Sequence, residues 1–401
     1  MAVALCAALV SPVFAGEWSA TAGWGLRLDQ HRVIPSTPGD PPARVAPWTQ
    51  LLLPTLRLAG EPLGARIGVA ASGRLELGAS VTGEGQGPLR RGSAGEVSTS
   101  VARTFGLGVR LRAAGSAARS RDLLDVDQAT VSDDGDALRM SASASADSRW
   151  LEGRWHAHGW RPGSGPPSDT RSLEWGARAF LDRSPLAAAF LGGRERRMEH
   201  EREIQLLART ALLGVQRDVV PGLGLTLELG AVQEQIGLER EQPRPAYGVE
   251  LASPRGEAGR ATQLRVRATH ELGNEFELEL TRRGGRANAW ARASSRVDVE
   301  GLGNVGPAVI QLAALGAGDT LAAATVLGIE ASVARNRPYR GVPIEPTAAV
   351  RLSAWVERRV QPWLSCRAGW DLLQRDYEEA APGFRRSRFE IQLLASSRSH
   401  P

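Results

Sequence analysis

Along much of this chain apolar and polar side chains alternate one for one. In residues 263–282, Leu264, Val266 and Ala268 alternate with Arg265 and Arg267, and Phe276, Leu278 and Leu280 alternate with Glu275, Glu277 and Glu279. A period of two places the apolar groups on one face of an extended strand and the charges on the other. Between the two runs, Leu272-Gly273-Asn274 can supply the positive φ of a tight loop, which predicts a hairpin pairing Val266 with Leu280, Ala268 with Leu278 and Arg267 with Glu279. A second hairpin is predicted over residues 348–372, where Val350, Leu352, Ala354 and Val356 lead to a turn at Gln361-Pro362-Trp363 and Leu364, Cys366, Ala368, Trp370 and Leu372 return. That register sets Glu357 against Arg367 and lays Trp355 over Gly369, both favourable cross-strand contacts. In a third, Leu138, Met140, Ala142 and Ala144 turn at Asp147-Ser148 and return as Leu151, Gly153, Trp155 and Ala157, with Arg154, His156 and His158 on the polar face.

Single strands of the same texture read at 18–28, 66–71, 75–81, 107–113, 173–181, 223–231, 321–333 and 389–395. Tight turns alternate with longer polar connections at 29–46, 122–136, 159–170, 240–246 and 335–345. Three stretches resist the pattern. Residues 194–213 have good helix propensity, and a helix over 195–206 would suit a plug or rim element; 307–325 and 187–189 are Ala-rich and ambiguous.

No helical layer is predicted that could cover the apolar strand faces, and no later segment reaches the ~18 uninterrupted apolar residues of a membrane helix. Lipid is then the burying medium, and a closed barrel is the one strand architecture that satisfies every backbone group there. The expected fold is an all-β, antiparallel transmembrane barrel of about 14–18 strands, with short turns on one rim and longer loops on the other. Residues 1–15 read as a cleaved secretory signal and 16–401 as a single barrel domain. Removing the signal takes Cys6 and leaves Cys366 alone, which excludes an intramolecular disulfide and any Cys-based metal site. A soluble β-sandwich of the periplasm or cell surface is the alternative architecture, with its apolar faces stacked on one another.

All 49 basic residues are Arg, against 44 acidic ones, giving a formal charge of +5. They are spread with Glu and Asp at strand spacing rather than gathered in a stripe with interleaved aromatics, which argues against nucleic acid as a partner.

The phrases Val219-Val220-Pro221-Gly222-Leu223-Gly224-Leu225 and Val360-Gln361-Pro362-Trp363-Leu364 join a Pro turn to alternating Leu. In this the chain resembles Gram-negative outer-membrane β-barrels, and in particular uncharacterised barrels associated with exopolysaccharide and PEP-CTERM export systems. The resemblance implies an outer-membrane location, with outer-membrane lipid and lipopolysaccharide as neighbours and polysaccharide or small polar solutes as cargo. Residues 396–401 depart from it in lacking a terminal aromatic, and with three Tyr in the chain an aromatic girdle rests on Trp, for instance Trp18, Trp150, Trp355, Trp363 and Trp370.

Chemistry is scarce. His156 and His158 stand two apart on one strand face, a spacing that can bind a metal, yet no third ligand is near in sequence; they read as lumen-lining polar groups, as does Arg154. Asp122, Asp125, Asp127, Asp133, Asp134 and Asp136 lack the EF-hand spacing and read as a solvated acidic loop. Ser172, Ser184, His200 and His270 could be enlisted in a triad, but no nucleophile elbow, phosphate loop or dinucleotide fingerprint accompanies them. The expectation is a non-enzyme with no cofactor and no metal site. The remaining candidate lumen-lining residues are Arg265, Arg267, Glu277, Glu279, Arg351, Glu357 and Arg367. Two functions follow: porin-like or export-linked passage of polar solutes or glycans, or a non-conducting scaffold tied to surface polysaccharide assembly.

Overall fold

The computed structural model describes residues 16–34, 44–45, 48–61, 64–82, 85–121, 137–162, 170–183, 187–201, 203–220, 222–253, 262–284, 286–298, 307–322, 324–340, 346–377 and 383–398. The strands are β1 (Gly16–Ile34), β2 (Arg44–Val45), β3 (Trp48–Gly60), β4 (Ala65–Thr82), β5 (Gly85–Thr104), β6 (Arg110–Arg121), β7 (Ala137–Asp147), β8 (Leu151–Pro162), β9 (Thr170–Arg183), β10 (Ala188–His200) and β11 (Glu203–Val220). The second half holds β12 (Leu223–Ile236), β13 (Glu239–Arg240), β14 (Arg244–Ala252), β15 (Thr262–His270), β16 (Asn274–Gly284), β17 (Ala287–Asp298), β18 (Ala308–Ala322), β19 (Thr325–Pro338), β20 (Thr347–Gln361), β21 (Leu364–Tyr377) and β22 (Gly383–Arg398). Twenty are long; β2 and β13 have two residues each. Each long strand pairs antiparallel with its neighbour in sequence, and β1 pairs along most of its length with β22, from Ser19 opposite Arg398 to Ile34 opposite Gly383. The sheet is therefore a closed ring. A single sheet closed on itself has no second sheet to pack against, which rules out the sandwich.

The ring is larger than the 14–18 strands expected, because segments that looked helical or ambiguous are wall. Residues 194–213 are not a helix or a plug: they form most of the β10–β11 hairpin, whose turn holds Glu201 at φ 51. Arg194, Arg196, Met198, Leu206, Ala208, Thr210 and Leu212 point one way and Leu191, Leu207, Arg209, Ala211 and Leu213 the other, a period of two that ladder bonding on both sides imposes over a weak helix preference. The Ala-rich stretches likewise belong to β18 and the start of β10.

The β15–β16 register differs from expectation by two residues. Val266 faces Leu278, Ala268 faces Phe276 and Arg267 faces Glu277, because the loop is Glu271-Leu272-Gly273, with Gly273 at φ 103. His270 then closes the ladder opposite Asn274, and their side chains bond at 2.8 Å. A two-residue slip leaves every side chain on its own face. The β20–β21 hairpin keeps the expected register, with Glu357 opposite Arg367 and Trp355 opposite Gly369. Both Pro phrases fall on turns, β11–β12 with Gly222 at φ 80 and β20–β21, on the rim where β1 begins and β22 ends.

The two faces of the ring differ sharply. Nineteen of the twenty long strands carry at least one exposed large apolar side chain, such as Leu213 (61%), Leu229 (68%), Ile329 (52%) and Phe389 (43%); β17 presents Ala291 and Ala293 instead, opposite Leu315 and Ala313. An apolar belt encircles the barrel. Trp370 belongs to it, but Trp355, expected in an outer girdle, lies on the opposite face with its ring over Gly328 and the Arg367 guanidinium 4.6 Å from its centroid. Trp290 covers Gly316 in the same way. Here glycine is required by close approach: a Cβ at Gly328 would stand 2.6 Å from the indole. Gly328→Val is expected to destabilise the barrel by about 1–3 kcal/mol, measured as a lower denaturant midpoint for the folded band on unheated gels.

Candidate functional site: a charged lumen

The charged face is the interior, because its side chains meet across the ring. Arg196 of β10 donates to Glu275 of β16 at 2.8 Å, and Arg194 bonds Glu271 at the β15–β16 tip, contacts that span several intervening strands. Following the ladder outward from Arg265 keeps to this face through Glu279, Arg292, Ala314, Ser332, Arg351, Leu373 and Arg386. Alternation thus distributes charge over the interior as directly as it distributes Leu and Val over the exterior.

One part of the interior is packed shut. Met198, Leu206, Ala208, Val232, Ala246, Leu272, Val297 and Tyr339 form a buried cluster near the rim opposite the Pro turns. The β15–β16 hairpin is short, and its tip residue Leu272, 2% exposed, packs into this cluster. Tyr339 and Arg340 follow β19, with Arg340 at φ 47, and reach Glu234 of β12. The Glu234 carboxylate is wholly buried; it accepts the Tyr339 hydroxyl at 2.6 Å and faces Arg244 at 2.8 Å and Arg340 at 3.3 Å. Burial, and then the Glu234 carboxylate, push the Tyr339 hydroxyl above its ordinary range, so it keeps its proton and its donor role. Three donors sharing one dry acceptor satisfy that acceptor and tie β19 to β12 across the interior.

The other part is open. A cavity of about 1110 Å³ runs against β4–β8 on one side and β9, β10, β14 and β15 on the other. Its charged wall is a ladder of Arg and Glu. Arg178 reaches Glu228 at 2.6 Å and Glu152 at 3.7 Å; Arg194 reaches Glu228 at 2.5 Å; Arg196 stands 3.8 Å from Glu174. Arg265 pairs with Glu250 at 3.0 Å and Glu277 at 3.6 Å. The facing wall is mostly small and uncharged, including Gly68, Ser100, Ala114, Ser143 and Ser145, with Arg112 among them. A second cavity of about 590 Å³ adjoins it, lined by Glu279, Arg265 and Glu250 among others.

Of the residues singled out from sequence, Arg154, His156, Arg265 and Arg267 line the large cavity and Glu279 the smaller one. His158 stacks beside His156 with ring centroids 6.5 Å apart, and Glu277 holds Arg265. Arg351 donates to Asp371 at 2.7 Å on the far side of the ring, and Glu357 and Arg367 form their register pair there. Among the described residues no group of three or more His, Cys, Asp or Glu is placed to hold a metal ion. His270 is stacked on Tyr247 at 4.9 Å and bonded to Asn274; Ser184 and the acidic loop at 122–136 lie outside the described residues, as does segment 1–15. Sequence reasoning missed Arg178, Arg194, Arg196, Glu174, Glu228 and Glu234. Glu228 alternates with Leu227 and Leu229 and was legible; Arg194 and Arg196 were hidden inside the supposed helix.

No protein-family model matches the chain, and no curated protein matches it. Among solved structures it is similar to OpdL of Pseudomonas aeruginosa, at 11% identity over 96% of this chain and 99% of that one, with a TM-score of 0.39. OccK2 (OpdF) of Pseudomonas aeruginosa in complex with glucuronate gives 13% identity over 94% and 98% and a TM-score of 0.38; a BenF-like porin from Pseudomonas fluorescens Pf-5 gives 12% over 94% and 99% and 0.38. Superpositions this loose carry no argument, and the barrel rests on its own strand pairing.

Replacing Glu234 by Ala removes the shared acceptor of Tyr339, Arg244 and Arg340. The expected cost is about 2–3 kcal/mol, seen as a lowered denaturant midpoint, with Tyr339→Phe costing about 1 kcal/mol.

Proposed function

We propose that this chain is a porin-like outer-membrane channel for small polar solutes in a Gram-negative envelope. The observation that carries the reading is the pairing of an apolar belt around a closed ring with a charged interior that keeps an open cavity of about 1110 Å³. Water would not leave so many Leu, Val, Ile and Phe side chains uncovered, since exposing apolar area costs roughly 25 cal/mol per Å². Hydrocarbon covers them at no such cost, and only a closed ring leaves no backbone edge in it. On this reading outer-membrane lipid and lipopolysaccharide surround the belt, and a leader at 1–15 directs export. Polysaccharide passage rests on the turn texture alone. The non-conducting scaffold has lost its supposed plug, because residues 194–213 are wall. On this reading the lumen's ion pairs serve as ladder contacts and as a wet, mixed-charge lining.

Two measurements test the proposal. Purified, heat-modifiable protein in planar bilayers is expected to give stable conductance steps, and silence from correctly folded protein overturns the channel. Leu352→Arg, on the outer belt, is expected to cost about 2–4 kcal/mol of folding free energy in lipid vesicles, whereas a charge at a lumen position such as Ser332 costs much less; equal effects overturn the assignment of lipid to the outer face.

A further inference from the structure

Among the described residues of the charged wall, Arg267 is an Arg whose neighbouring carboxylates have all turned elsewhere. In the ladder it stands between Glu250 on β14 and Glu277 on β16, yet both carboxylates turn to Arg265. Glu228 is taken by Arg178 and Arg194, Glu271 by Arg194, and Glu275 by Arg196. Among the described residues no carboxylate lies within ion-pair distance of Arg267, although its side chain is half-buried and lines the large cavity. A guanidinium offers five donors in a fixed fork matched to a carboxylate or similar oxyanion. Here the fork faces a space with room for a small organic solute.

The wall across that space supplies the rest of the chemistry. β5 to β7 bring Ser100, Ser143 and Ser145 to this part of the interior, and the cavity lining these strands contribute holds no acidic group that would compete for an anion. Ser116 and Ser141 bond each other at 2.8 Å on the same face. Hydroxyls that both donate and accept suit the hydroxyls of a solute. Arg112 also lines this side, so an anion entering meets positive potential from both walls.

We propose that Arg267 is the binding point for the carboxylate of a small polyhydroxylated acid, whose hydroxyls contact the serine wall opposite. The proposal deepens the channel reading and rests on it for the route, while the binding itself does not require conduction. The site would hold the solute part-way along the lumen and favour it over a neutral sugar of the same size.

Calorimetric titration of the refolded, detergent-solubilised full-length barrel tests this, with gluconate as probe and glucose as its neutral counterpart. Saturable gluconate binding is expected, with glucose and the variant Arg267→Gln each weaker by about tenfold or more, and Arg267→Lys between wild type and Gln because it keeps the charge but loses the fork. The site is overturned if glucose binds as well as gluconate, a comparison that needs no variant, or if folded Arg267→Gln binds gluconate within twofold of wild type. Conductance measured on the same preparation separates the two claims: Arg267-dependent binding without conductance overturns the channel and supports the site, and conductance with Arg267-independent binding does the reverse.

Discussion

Closure of the ring between β1 and β22 is the constraint on which everything else depends. A strand edge left open would expose a row of unpaired N–H and C=O groups, which is tolerable in water and costs several kcal/mol per group in hydrocarbon. Once the ends of the sheet pair, the backbone is satisfied by itself and the side chains are free to specialise by face. Period-two alternation then has a single meaning everywhere: one parity meets the surroundings and the other meets the lumen.

The interior is not a uniform tube. Twenty long strands enclose more space than the charged side chains of the wall can fill, and the protein divides it. In one part the β15–β16 tip and the Tyr339–Arg340 segment pack onto β10–β12, burying Leu272 and Tyr339 around the Glu234 carboxylate. Elsewhere, Gly, Ala and Ser keep the wall thin and the cavity stays open. Inward aromatic side chains elsewhere on the ring lie flat: Trp355 over Gly328 and Trp290 over Gly316 are held against the wall by glycines that have no Cβ to lift them off.

Charge within the cavity follows from competition among pairs rather than from composition. Arg and Glu are nearly balanced along the chain; Arg178, Arg194 and Arg196 reach carboxylates two or more strands away, while Arg244, Arg265 and Arg351 pair with an adjacent strand. The balance is local, however, and each carboxylate that could serve Arg267 is already held by a neighbouring Arg. A nearly neutral sequence thereby yields a lumen with a distinctly basic point.

The alternation by itself determined the fold class, the parity of each strand and hence which candidates share the inner face. It set the β20–β21 register too, because Glu357–Arg367 and Trp355–Gly369 both reward the same pairing. It misjudged segment 194–213, where helix propensity and strand alternation fit the same residues and only the ladders on either side select the strand. It misplaced the β15–β16 loop by one residue, since Gly273 or Asn274 could each have taken the positive φ and the choice fell with Leu272, which gains burial in a cluster assembled from β10, β11, β12, β14, β17 and Tyr339. The division of the lumen and the pairing that isolates Arg267 belong to tertiary structure alone: they arise between strands far apart in the chain, and a local pattern carries no information about which of several Arg a given Glu will reach.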